Sequence, residues 1–241
     1  MVAVARLEEC PPLGSHDLAV VFDVLRMSTS MLSAAAAGVA AIFAVETVEA
    51  ARARAREAFG AWLAGERNNR PLAGFQRGNS PVEWAAPVPP GTRVVWTTTN
   101  GTRALERAAG AGAVLVGALV NRAAVAEAAA AWAGRVVLLA AGREGAPSPP
   151  DWWGVGAVAA ALPEAGGDPS VRDAEAAYRA VADNLGRALE ASDEGRGLVE
   201  MGYGPDVAWA AALDRVPMVL HRAADGWLTP AAPASLFVSS P

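Results

Sequence analysis

The 241-residue chain has one cysteine, two histidines and no lysine. Cys10 alone cannot close an internal disulfide, and two histidines argue against a zinc site built from Cys and His. No apolar run is long enough to cross a bilayer. Glu8 and Glu9 stand where a signal peptide would carry its apolar core, so the expectation is a cytoplasmic protein with no membrane partner. A formal charge of −5 and a pI near 5.1, without clustered basic residues, argue against a nucleic-acid surface. The positive charge is all arginine, whose planar fork suits small oxyanions. Hydrophobic residues make up 53%, much of it alanine, which points to close packing of helices on a sheet.

Short apolar runs alternate with helical stretches nearly throughout. Strands are expected at Leu18–Phe22, Val39–Val45, Trp62-Leu63-Ala64, Val94-Val95-Trp96, Ala113–Val116, Arg135–Ala140 and Val216–Leu220. Helices are expected at Met31–Gly38, Glu46–Phe59, Asn121–Trp132, Trp152–Leu162 and Ala174–Ala191, with another inside Gly195–Leu213. This order predicts an α/β fold, a three-layer αβα arrangement on a largely parallel sheet. Residues 1–165 would form the main region and 166–241 a smaller C-terminal part completing the sheet, with Glu164–Pro169 as linker. The loops at 23–30, 65–69, 78–80, 97–102 and 142–151 all follow expected strands, so in a parallel sheet they would share one edge, where α/β folds bind ligands.

The stretch Val94–Leu105, VVWTTTNGTRAL, reads as strand, hydroxyl-rich loop and helix start. Free N–H groups at such a start stabilise an anion, with Thr98, Thr99, Asn100, Gly101, Thr102 and Arg103 as candidate donors. A polar turn with a cap would give the same pattern. Asp23 closes the first buried run and precedes Arg26 and a second hydroxyl loop with Ser28 and Thr29. Glu66 follows a strand, and Asp151 precedes a helix, where an N-cap role alone would explain it. In Gly78-Asn79-Ser80-Pro81, Asn79 and Ser80 suit either a helix start or an anion loop. Convergence of Asp23, Glu66 and Asp151 would suit Mg²⁺, which takes one or two carboxylates together with waters and phosphate oxygens.

Asp23-Val24-Leu25-Arg26, Gly65-Glu66-Arg67, Gly78-Asn79-Ser80-Pro81, Thr97–Arg103 and Ser148…Asp151 occur in the order and spacing of the 2-phosphosulfolactate phosphatases. Gly202-Tyr203…Asp206-Val207 and Asp214…Val216-Pro217 extend that resemblance almost to the C-terminus. It implies a Mg²⁺-dependent hydrolase that removes phosphate from 2-phospho-3-sulfolactate, a step toward coenzyme M. Asp23, Arg26, Glu66 and Asp151 would be catalytic, with Asp23, Glu66 and Asp151 around the metal. Two departures stand out. Asn68-Asn69 replace glycines, and Ser148-Pro149-Pro150-Asp151 replaces Ser-Leu-Glu-Asp, which removes a carboxylate. The alternative is a small-oxyanion-binding protein of the same fold that has lost hydrolysis. Eight tryptophans leave room for a homodimer interface.

Overall fold

The apolar runs assemble into one ten-stranded sheet in the computed structural model, which describes residues 1–163 and 168–237. The strands are β1 (Val2–Arg6), β2 (Asp17–Phe22), β3 (Ala41–Ala44), β4 (Trp62–Arg67), β5 (Arg70–Pro71), β6 (Arg93–Thr97), β7 (Ala113–Gly117), β8 (Arg135–Ala140), β9 (Val219–Arg222) and β10 (Leu228–Ala231). The helices are α1 (Met27–Ala36), α2 (Val48–Glu57), α3 (Pro81–Trp84), α4 (Gly101–Arg107), α5 (Arg122–Ala130), α6 (Pro149–Ala159), α7 (Pro169–Arg179), α8 (Leu185–Ala191), α9 (Asp193–Glu200) and α10 (Gly204–Ala210).

β2 shows why the sheet is a middle layer. Its side chains alternate between two cores: Ala19 and Val21 pack with Met31, Leu32 and Leu105 on one face, while Leu18, Val20 and Phe22 pack with Val125, Val155 and Val171 on the other. Leu18, Val20, Val21 and Phe22 are wholly buried. At about 1.5–3 kcal/mol each, their burial rivals the net stability of a domain, so the residue at the end of β2 stands on a rigid base.

The strand order is β1-β8-β2-β7-β9-β10-β3-β6-β4-β5. Two parallel blocks, β1-β8-β2-β7 and β3-β6-β4, flank the antiparallel pair β9–β10. β9 opposes β7, and β10 opposes both β9 and β3, so the two blocks run in opposite senses. The strand ends therefore do not share the single edge that the sequence pattern suggests. Five steps separate β2 from β6, yet the segments that follow them meet, because Asp23 after β2 accepts the N–H of Gly101 after β6.

Several boundaries differ from expectation. α1 begins four residues early because Asp23 receives the Met27 N–H and its carbonyl the Ser28 N–H. The helix expected over 174–191 divides into α7 and α8 at the 3-10 turn Ala182–Asn184, where Asn184 leaves the helical backbone geometry and the low helix propensity of Asp183 and Asn184 favours a break. Ser148, not Asp151, caps α6, and prolines fill its first two positions. β1, β5 and β10 lie in segments where no strand is expected. Residues 164–167 of the expected linker lie outside the described residues.

Candidate active site

Asp23 sits where the two blocks meet. Its carboxylate accepts N–H groups from two helix starts, Met27 of α1 at 3.1 Å and Gly101 of α4. A Cβ at position 101 would fall 2.5 Å from Asp23 Oδ2, so glycine is required for this approach. Burial pushes the Asp23 carboxyl up to about 6; the Met27 N–H opposes the rise and the Glu66 charge adds to it.

Glu66 ends β4. Its Oε2 accepts the Asn69 N–H at 2.8 Å, and Oε1 accepts the Thr99 N–H at 3.2 Å and the Thr99 hydroxyl at 3.4 Å. Between β4 and β5, Asn68 and Asn69 adopt φ of 52° and 62° and form the two-residue hairpin turn. Asparagine is the residue that best tolerates this region after glycine, so Asn68-Asn69 suit the turn. Asp151 lies in the first turn of α6. Its Oδ1 accepts the Val24 N–H at 2.7 Å and its Oδ2 the Gly142 N–H at 3.0 Å, which ties the ends of β2 and β8 together. Burial raises its carboxyl well above the usual range, and the charges of Asp23 and Glu194 add to the rise.

Arg26 is the buried cation of the site. Its Nη1 donates to Asp206 Oδ2 at 2.7 Å and its Nη2 to the Asn69 carbonyl at 2.9 Å, while the guanidinium lies 4.1 Å from the Tyr203 ring centre. Asp206 also accepts from Ser80 at 2.6 Å. Ser30 and Ser33 of α1 donate to the carbonyls of Asn79 and Pro81 and so fix that loop. Two segments distant in sequence, one carrying Asn69 and the other Tyr203 and Asp206, thus hold one guanidinium, and the Ser80 loop braces the second through Asp206. Arg26 Nε and Asn79 Oδ1 are buried without a partner among the described residues.

These groups line a cleft of about 370 Å³. Its wall carries six acids, Asp23, Glu66, Glu144, Asp151, Glu194 and Glu200, against two arginines, Arg26 and Arg143. Of the expected site residues, Asp23, Arg26, Glu66, Asn79, Thr99, Asn100 and Asp151 reach it. Ser28 and Thr29 do not: they are buried in α1, their hydroxyls bonded to the Asp23 N–H and the Val24 carbonyl. Ser80 caps α3 and supports Asp206. Thr98 is buried, and its carbonyl accepts the Thr102 hydroxyl. Arg103 is exposed and lies outside the cleft wall. The N–H groups of Thr99 and Gly101 face the carboxylates of Glu66 and Asp23, so the protein's own anions occupy the place a phosphate was expected to take. The physics is the same: free N–H groups stabilise whichever anion reaches them.

Sequence reasoning missed the wall formed by α9, where Glu194, Leu198 and Met201 line the cleft. Their spacing of four and three is one helical stripe, and a charged residue in line with buried Leu198 was the available signal.

No group of three or more His, Cys, Asp or Glu side chains among the described residues is arranged to hold a metal ion. The expected set of Asp23, Glu66 and Asp151 is therefore not a preassembled cage, because Asp151 directs both oxygens at backbone N–H groups. Asp23 and Glu66, whose charges act on each other, remain. A cleft rich in carboxylates with excess negative charge fits a hard cation, and Mg²⁺ needs only one or two carboxylates besides waters and ligand oxygens.

Residues 5–224 match the 2-phosphosulpholactate phosphatase family. A probable 2-phosphosulfolactate phosphatase of Deinococcus radiodurans is 38% identical over 213 residues, covering 86% of this chain and 88% of that protein. One from Synechococcus sp. (strain JA-3-3Ab) is 36% identical over 230 residues, covering 92% and 95%. A third, from Carboxydothermus hydrogenoformans, is 32% identical over 206 residues, covering 83% and 84%. With a family match over nearly its whole length, the chain belongs to the 2-phosphosulfolactate phosphatase family.

Proposed function

We propose that this chain hydrolyses a small 2-phospho acid, 2-phospho-3-sulfolactate, to 3-sulfolactate and phosphate, with Mg²⁺ as cofactor. One observation carries the reading: a buried guanidinium, held on two sides and with Nε unpaired, faces a cleft whose other charges are nearly all carboxylates. Such a cleft repels an anionic ester unless a cation accompanies it.

Asp23 and Glu66 would hold Mg²⁺, which supplies Lewis-acid polarisation of the phosphoryl group and a more acidic water. The chain's own residues bind and orient the ester. The free Nε–H of Arg26 meets a phosphoryl oxygen, and Asn79, Thr99 and Asn100 supply neutral contacts around it. Because Arg26 is fixed by Asp206, Asn69 and Tyr203 before substrate arrives, little reorganisation is needed as charge shifts toward the leaving oxygen. Arg143, exposed at the mouth, is placed for the second anionic group. Leu25, Leu198 and Met201 narrow the access of bulk water.

The test is phosphate release from 2-phospho-3-sulfolactate, phospholactate and phosphoglycolate, by wild type and Asp23→Asn, with Mg²⁺ or chelator. Release that needs both the metal and Asp23, fastest with the sulfonate, supports the reading. Phosphate binding by a folded protein that hydrolyses none of them would favour the oxyanion-binding alternative.

A further inference from the structure

We propose that Glu194 is the general base of this hydrolysis, the group that takes the proton from the attacking water; the assignment rests on the phosphatase reading above. Three features distinguish it from the other acids of the cleft.

The first is orientation. Ser192 caps α9 by accepting the Gly195 N–H at 3.0 Å, and Leu198 is buried. A Cβ at Gly195 would fall 1.8 Å from the Leu189 carbonyl oxygen, so α9 lies hard against the end of α8, which holds its orientation. That orientation turns Glu194, Leu198 and Met201 to the cleft, while Asp193 faces solvent and pairs with Arg196. An acid in a first helical turn gains from the dipole at the surface, and Asp193 already fills that place. Nothing in the dipole effect accounts for sending Glu194 inward.

The second is its unpartnered oxygen. Asp23, Glu66 and Asp151 all have their oxygens already engaged by backbone N–H groups. Glu194 Oε2 is shut off from solvent and accepts no hydrogen bond among the described residues. A buried acceptor without a donor is costly, so its donor belongs with the ligand. A water on its way to phosphorus is such a donor.

The third is placement. Glu194 lines the same cleft as Asp23, Arg26 and Glu66, and its charge is felt at Asp151. It arrives on α9, from the C-terminal part of the chain, far in sequence from Asp23, Glu66 and Asp151.

In the step itself, the water oxygen forms a bond to phosphorus as one water proton passes to Glu194 Oε2. The bond between phosphorus and the ester oxygen on C2 breaks, and its electron pair stays on that oxygen. The same proton then passes from Glu194 to the released alkoxide, leaving the 2-hydroxy acid, inorganic phosphate and an ionised Glu194.

The experiment compares wild type, Glu194→Gln and Glu194→Ala in the Mg²⁺-supplied assay, with phosphate and Mg²⁺ affinities measured separately by calorimetry on the folded proteins. Both variants should lose about 10²–10⁴-fold in kcat while both affinities stay unchanged. Formate should restore turnover to Glu194→Ala in a concentration-dependent way, a response that a merely structural residue would not give. A Glu194→Gln variant with wild-type kcat would overturn the assignment, and so would Mg²⁺ affinity falling in step with kcat, the signature of a metal ligand. A wild type that releases no phosphate would sink the phosphatase reading together with this one. An active wild type matched by Glu194→Gln would sink this one alone.

Discussion

Replacing Asp23 by asparagine should make the metal-free protein more stable at high pH while abolishing hydrolysis. A carboxyl raised from 3.8 to about 6 binds its proton more tightly in the folded chain than in the unfolded one. Below the unfolded value both states are protonated and nothing is lost. As pH rises through the interval the folded state is progressively penalised, and above about 6 the full penalty is about 3 kcal/mol. Asparagine carries no charge, but its NH₂ cannot accept one of the two N–H groups that Met27 and Gly101 direct at the side chain, which costs about 1–2 kcal/mol. The net gain at pH 8 is about 1–2 kcal/mol, and near pH 4.5 it is gone. For a chain of this size, with an unfolding entropy of about 0.5 kcal/mol/K, the gain raises Tm by about 2–4 °C. Thermal melts of both proteins in chelator, from pH 4.5 to 8, read the difference directly. A variant less stable than wild type by the same amount at every pH would refute the reasoning, because it would show that ionised Asp23 carries no burial penalty.

Asp206→Ala leaves the buried Arg26 guanidinium without its carboxylate and should cost about 3–5 kcal/mol in urea titrations, far more than a surface pair would. Gly101→Ala drives a methyl toward Asp23 Oδ2 and the Met27 side chain, so kcat should fall by up to about 10²-fold, the cost of a 1 Å misplacement. Asn69→Gly keeps the left-handed turn and should change stability by less than about 0.5 kcal/mol, whereas Asn69→Ala should cost about 1 kcal/mol; paired denaturation curves separate them. Asp17, held down to about 2 by hydrogen bonds from Arg135 and the Gly14 N–H, stabilises the fold above pH 4 and loses that effect as pH falls through about 2. With the partly exposed Arg135 partner screened by solvent, Asp17→Asn should cost about 1 kcal/mol at pH 7 and nothing at pH 2, as followed by chemical denaturation.

The sequence was most legible where one local rule dominates. Arg135–Ala140 is a buried apolar run and a strand with those same ends, and Ser80-Pro81 starts a helix as capping chemistry requires. The membership of the cleft was partly legible, because Asp23, Glu66, Asp151 and Arg26 fall at element ends. Their partners were not. Asp206 meets Arg26 across 180 positions and Glu194 arrives on a helix packed by tertiary contacts, and no local pattern encodes either meeting. The Ser28-Thr29 pair misled for a related reason. Hydroxyls look the same in sequence whether they face a ligand or bond to the backbone of their own helix start. Sheet sense was hidden as well, since β9 and β10 enter the middle of the sheet from the end of the chain and reverse one block against the other.

The most direct test of the central claim is inorganic phosphate released from 2-phospho-3-sulfolactate by the purified chain, with saturating Mg²⁺ and again with excess chelator. The account predicts sustained turnover with the metal and none with the chelator, restored when Mg²⁺ is added back. Turnover that survives chelation would contradict the roles given to Asp23 and Glu66, and no release from a folded, phosphate-binding chain would contradict the hydrolysis itself.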